Sequence, residues 1–168
     1  MRFNARIRAR LKTQKLNILV FGPTPSIAGQ PGKLGEIASK RVEIRDYLLA
    51  EGHNAVFPED EIPKNSNDPI TEEIFLIQDA DLVVVIVESY GTNVEAGILS
   101  QRASYAEKTF VFIDSAHRSG AAYAACKLIQ RLRGSMKPFI YPDDIEKCHL
   151  KTSIAKVVNE TQYRKLYP

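Results

Sequence analysis

The sequence predicts an α/β domain built on a doubly wound sheet of five parallel strands in the order 2-1-3-4-5. Three observations predict it. Short β-branched or aromatic runs alternate with segments of helical character along the chain, and such alternation implies right-handed crossovers and a sheet covered on both faces. The third run, DLVVVIVES at 81–89, has no polar side chain between Leu82 and Val87, as suits a central strand with helices above and below it. The loops after the first and third runs are the irregular ones, and in this topology they meet where the winding reverses.

The elements follow in order. The strand candidates are NILVFG (17–22), NAVFP (54–58), DLVVVIVES (81–89), TFVFID (109–114) and KPFIYP (137–142). Helical character fills roughly 33–50, 69–79, 92–107, 119–133 and 143–165. The first helix is predicted to stop at Glu51-Gly52, a glycine after the last apolar turn. The fourth, GAAYAACKLIQRLRG, is alanine-rich, basic at its end and closed by Gly134, which suits the negative end of a helix dipole. The result is a flavodoxin- or Rossmann-like sheet. No repeat or linker divides it, so residues 1–16 are expected to be a basic extension and 17–168 a single domain.

Size and composition narrow the function classes. A chain of 168 residues, 44% hydrophobic and 26% charged, suits one globular domain with a sizeable core. No apolar run approaches the roughly 20 residues needed to span a bilayer. No apolar stretch follows the basic N-terminus, so no secretory signal is expected. Cys126 and Cys148 form no CxxC pair, and His53, His117 and His149 have no metal spacing. A reducing cytoplasm is the expected setting, with no metal and no cofactor. The net charge of +3 is uneven, because Arg2, Arg6, Arg8, Arg10, Lys12 and Lys15 crowd into the first sixteen residues without an acid. The remainder is mildly acidic. Such an arm suits a solvated helix docked through Phe3, Ile7 and Leu11, or a regulatory partner that is nucleic acid or an acidic protein.

Ligands in doubly wound sheets bind beyond the carboxyl ends of the strands, at the reversal point between strands one and three. The first loop there, GPTPSIAGQPGK, spans Gly22–Lys33 and is longer than the usual 2–6 residues. It matches neither a dinucleotide nor a P-loop fingerprint. It is either a surface loop or a phosphate- or sugar-contacting one, with Gly22, Pro23 and Ser26 as its candidate residues. Arg41 falls in the apolar stripe Leu34, Ile37, Ile44 and Leu48 of the following helix. A cation there has a partner, meets a ligand in a cleft, or snorkels past the sheet edge.

The second loop is ESYGTNVEAG, Glu88 to Gly97. Gly91 supplies a permissive backbone. Thr92 and Glu95 have capping-box spacing, so Glu95 is a helix-cap residue or a catalytic carboxylate at the strand end. Tyr90 stacks on a base or covers the strand end. Asp114, closing strand four, contacts a ribose or caps the next helix.

The block ITEEIFLIQDADLVVVIVESYGTNVEAGIL resembles the signature of the nucleoside 2-deoxyribosyltransferase superfamily, with its Gly-x-x-x-Glu-x-Gly element at Gly91–Gly97. The resemblance covers about residues 17–115 and extends more weakly to 142. It implies that Glu95 is a nucleophile attacking the anomeric carbon of a sugar. It implies that Glu73, seven residues before Ala80, stands in for the upstream acid that is usually aspartate. Ser89 matches a serine that binds a 5′-phosphate in nucleotide-hydrolysing members. Glu59, in FPED, would overhang the site. PED, ES and FVFIDSAHRSG also resemble the deoxyribosyltransferase-like effectors of bacterial retron and related defence systems.

These likenesses imply an N-glycosidase that cleaves the base–sugar bond of a nucleoside monophosphate or NAD through a glutamate nucleophile. Transfer between bases, a non-catalytic nucleotide-sensing module and a TIR-like NADase are the alternatives. The superfamily also implies a homo-oligomer.

Overall fold

The computed structural model describes residues 9–11, 13–87, 90–114, 119–133, 139–141 and 149–167. Four parallel strands, β1 (Asn17–Phe21), β2 (Asn54–Val56), β3 (Leu82–Val87) and β4 (Thr109–Asp114), lie side by side in the order β2-β1-β3-β4. The described backbone of the fifth run is the three-residue β5 (Phe139–Tyr141), which runs parallel to β4 with Phe112 opposite Phe139 and Asp114 opposite Tyr141.

Strand periodicity divides the core in two. Ile18 and Val20, Leu82, Val84 and Ile86, and Phe110 and Phe112 point to one face. There they meet α1 (Lys33–Ala50) and the C-terminal helix α7 (Leu150–Leu166) through Ile37, Ile44, Leu48, Ile154 and Val157. Leu19, Phe21, Val83, Val85, Val87, Val111 and Ile113 point to the other. That face is covered by α3 (Pro69–Asp79), α4 (Tyr90–Ser100), the single turn α5 (Ala103–Ala106) and α6 (Ala121–Arg133), through Ile77, Leu99, Tyr105, Cys126 and Ile129. Every side chain of β3 is at most 1% exposed, and burying each stabilises the fold by roughly 1.5–3 kcal/mol. That two-sided burial is why β3 carries no polar residue.

Local chemistry sets the ends of the elements. Helix α1 stops at Gly52, whose φ of 87° only glycine adopts cheaply. The Gly52 amide donates to Leu49 O and the His53 amide to Leu48 O, both at 3.0 Å, which closes the helix in a Schellman arrangement. Strand β2 ends at Val56, short of the expected 58, because Pro58 lacks an amide and opens the single turn α2 (Pro58–Glu61) instead. Asp68 caps α3 by accepting from the Thr71 amide at 3.1 Å, with Pro69 in the first turn. The expected helix over 92–107 is two helices, α4 and α5. The break follows Ser100, whose hydroxyl donates to Gly97 O at 2.7 Å, a side-chain bond that competes with helix continuation.

No helix among the described residues is long and apolar enough to cross a membrane. No group of three or more His, Cys, Asp or Glu residues among them could hold a metal ion.

Candidate functional site

A cleft of about 520 Å³ opens beyond the carboxyl ends of β1 and β3. Its lining comes from five places: Phe21, Gly22 and Thr24 at the end of β1, Arg41 on α1, Pro58 and Glu59 on α2, Glu73 on α3 and Glu95 on α4. The segment between α2 and α3, with Lys64 and Ser66, completes the wall. The switch point of the winding is thus where the ionisable groups converge.

The loop after β1 is held by its own hydrogen bonds. Pro25–Ile27 forms a 3-10 turn. The Gly29 amide donates to Ser39 Oγ at 2.8 Å, and that hydroxyl donates to Gly35 O at 2.9 Å. A Cβ on Gly35 would lie 2.3 Å from Gln30 O, so glycine lets the first turn of α1 pack directly on the loop. Gly22 lines the cleft. The Pro23 carbonyl faces Arg41, and Ser26 Oγ sits 3.0 Å from Thr24 Oγ1 outside the lining.

Arg41 is 1% exposed. Its Nε donates to Val20 O at 3.0 Å, and Nη2 donates to the same carbonyl at 2.7 Å. Nη1 donates to Gly22 O and Pro23 O at 3.1 and 3.0 Å. The two terminal nitrogens also grip Glu59, Oε1 at 2.6 Å and Oε2 at 2.7 Å. The guanidinium lies over the Phe57 ring at 4.3 Å. Of the roles open to this residue, the structure selects the partnered ion over the snorkelling one. Five N–H groups are all the side chain has, and each nitrogen is engaged within the protein.

Glu95 and Glu73 differ from Glu59, which is exposed and paired with Arg41. Glu95 projects from the second turn of α4, and its Oε2 is buried with no hydrogen-bond partner among the described residues. Burial pushes its carboxyl up to about 7; the charge of Glu73 adds to the effect, Arg41 opposes it, and Glu59 adds a smaller push. Glu73 is also raised, by burial first and by Glu59 second. Two carboxylates in a partly dry cleft resist being ionised together, so each proton change on one is felt by the other. A poorly solvated carboxylate gains most when a positive charge develops beside it.

The capping-box expectation is corrected here. Helix α4 starts at Tyr90, so Gly91 and Thr92 already lie within it, and Thr92 is not its N-cap. With the helix entered two residues early, Glu95 is held by the helix rather than by a box. The side chains of Tyr90 and Thr92 lie outside the described residues, as does Ser89 altogether. Asp114 is the last residue of β4, and its side chain too lies outside the description. What sequence reading missed is the wall formed by Thr24, Ile62, Pro63, Lys64 and Ser66. PKNSNDP (63–69) reads as a loop, and no local signal says which side of the molecule it covers.

Two other reactive side chains are set apart from this chemistry. Cys126 is fully buried on the core face of α6, and burial pushes its thiol to about 12, too high for a nucleophile at neutral pH. His53 is buried beside the start of β2, where Nδ1 accepts from the Leu16 amide at 3.4 Å; burial lowers its pKa, and it lines no wall of the carboxylate cleft.

Residues 34–167 match the family model described as STM3845 retron effector protein. The match spans Arg41 and all three cleft glutamates, and it begins after β1 and its loop. No curated protein matches the chain.

Proposed function

The chain belongs to the STM3845 retron effector protein family, and on that footing we propose that its cleft cleaves the N-glycosidic bond of a nucleotide, with Glu95 as the nucleophile. One observation carries the reading: a carboxylate with a buried, unpartnered oxygen lines the cleft at the sheet's switch point, beside a second raised carboxylate. The resemblance of Gly91–Gly97 to the deoxyribosyltransferase element supports the same residue from sequence.

The chemistry follows from the two acids. Glu95 forms an ester bond to the anomeric carbon as the bond from that carbon to the base nitrogen breaks, and the bonding pair leaves with the base. The oxocarbenium-like transition state carries positive charge on the sugar. A desolvated Glu95 stabilises that charge more than a solvated one would. Glu73, in its protonated form, delivers a proton to a neutral leaving base. It then takes one from the water that attacks the same carbon and frees Glu95. A second base in place of water would give transfer.

The substrate class in this reading is a nucleoside monophosphate or NAD. The test is to incubate the protein with NAD, nucleoside monophosphates and unphosphorylated nucleosides and to measure free base. Release from the phosphorylated substrates in preference to the nucleosides is expected. Ligand-dependent thermal stabilisation with no base released from any of them contradicts catalysis and leaves a sensing module.

A further inference from the structure

Among the described residues, Arg41 is one of the largest fully buried side chains, and its surroundings are unusual for a cation. Its bonds reach two separate walls of the cleft. Val20 O, Gly22 O and Pro23 O belong to the end of β1 and the start of its loop, and the Glu59 carboxylate belongs to α2. Gly22 comes so close that a Cβ there would lie 3.1 Å from Arg41 Cδ. With every nitrogen engaged, Arg41 has no donor left for a substrate, so any part it plays in the chemistry passes through other groups. Its planar fork meets all these acceptors at once, which a lysine ammonium cannot do.

The same side chain lines the cleft that holds Glu95. The charged groups lining that cleft with Glu95 are Arg41 from α1, Glu59 from α2, Lys64 from the segment after α2 and Glu73 from α3. Of these, Arg41 acts on Glu95 with a sign opposite to the two acids.

We propose that Arg41 is a positioning residue for Glu95. Its guanidinium ties the end of β1 to α2, and its charge, partly offset by Glu59, favours the anionic Glu95 that attacks the sugar. The part concerning attack rests on the nucleophile reading above; the electrostatic hold on Glu95 does not. Glu59 is the counterweight: it keeps Arg41 in place and tempers its charge. Removing one partner or the other therefore moves Glu95 in opposite directions, which a purely structural clamp would not do.

The experiment is a carboxyl-carbon NMR titration of Glu95 in the full chain and in R41K, R41Q and E59Q, with base release measured on the same proteins. In E59Q the Glu95 midpoint moves to lower pH, because a like charge is gone while the glutamine carbonyl still accepts from Arg41. In R41Q it moves to higher pH. R41K keeps the charge but loses the fork: its midpoint stays near the wild-type value while kcat/KM falls by roughly 100-fold through misplacement of the walls. If R41Q does not fold, E59Q decides alone. A Glu95 midpoint unmoved in E59Q overturns the proposal, as does a midpoint that moves the same way in E59Q and R41Q. If the midpoints move as expected and E95Q still turns over, the hold of Arg41 on Glu95 stands and the nucleophile assignment falls.

Discussion

Glu73 on α3 and Glu95 on α4 line one cleft from two different helices, and the charge of Glu73 pushes the Glu95 carboxyl upward on top of its burial. Helix α3 is fixed by the Asp68 cap and by Ile77 in the core. Helix α4 leaves β3, whose six side chains are all buried. Two rigid elements thus hold the acids together against their repulsion, and a binding or catalytic site is where such an arrangement is expected.

That repulsion has a consequence for stability. Glu95 is raised from its ordinary 4.5 to about 7, so the folded protein binds this proton more tightly than the unfolded chain. Ionising Glu95 therefore costs stability: the contribution of its bound proton is full below about 4.5 and is lost as pH rises through about 7. Glu95→Gln has no proton to lose. Urea unfolding is expected to show the variant little changed at pH 4 and more stable than wild type at pH 8, by up to about 3 kcal/mol. A variant less stable at pH 8 than at pH 4, relative to wild type, would contradict the burial of this charge.

The same ionisation sets the rate. For base release, kcat/KM is expected to climb with pH as Glu95 ionises, around 7. Glu73→Gln removes a like charge, so the acid limb moves to lower pH. The maximal rate also falls, since Glu73 no longer handles the proton of the leaving base. A limb that stays in place in this variant separates the two acids.

Gly35 tests the loop wall. A methyl at this position meets Gln30 O at 2.3 Å and Ile27 O at 3.1 Å, both backbone atoms that cannot swing aside. Gly35→Ala is expected to destabilise the fold by about 1–3 kcal/mol, read as a lower urea midpoint. It should also raise KM, because the loop it displaces begins at Gly22 in the cleft.

Much of the fold was legible because it rests on local patterns. Strand β4 at 109–114, helix α3 at 69–79 and helix α1 at 33–50 agree with their sequence bounds, since hydrophobic period, a proline start and a glycine stop mark them. The site was legible in part. Gly22, Arg41, Glu59, Glu73 and Glu95, separated by up to 73 residues in sequence, share one cleft. The switch-point rule brings the loops after β1 and β3 together without knowledge of distances. The start of α4 was not legible, because Thr92-x-x-Glu95 fits a capping box as letters and only the backbone shows the helix already formed at Tyr90. Nor was the pairing of Arg41 with Glu59, which lie on different helices and meet only when β1 and β2 align. The wall at 62–66 is a tertiary fact with no periodicity to announce it.

The central claim is that Glu95 bonds to the sugar. A nucleotide substrate carrying fluorine at the 2′ position destabilises the cationic transition states and slows release of a glycosyl–enzyme ester. After incubation and acid quench, peptide mass spectrometry of the wild-type protein is expected to find one added glycosyl unit on the peptide carrying Glu95. Glu95→Gln should show neither the adduct nor base release. An adduct on another residue, or base release by Glu95→Gln at the wild-type rate, would contradict the account.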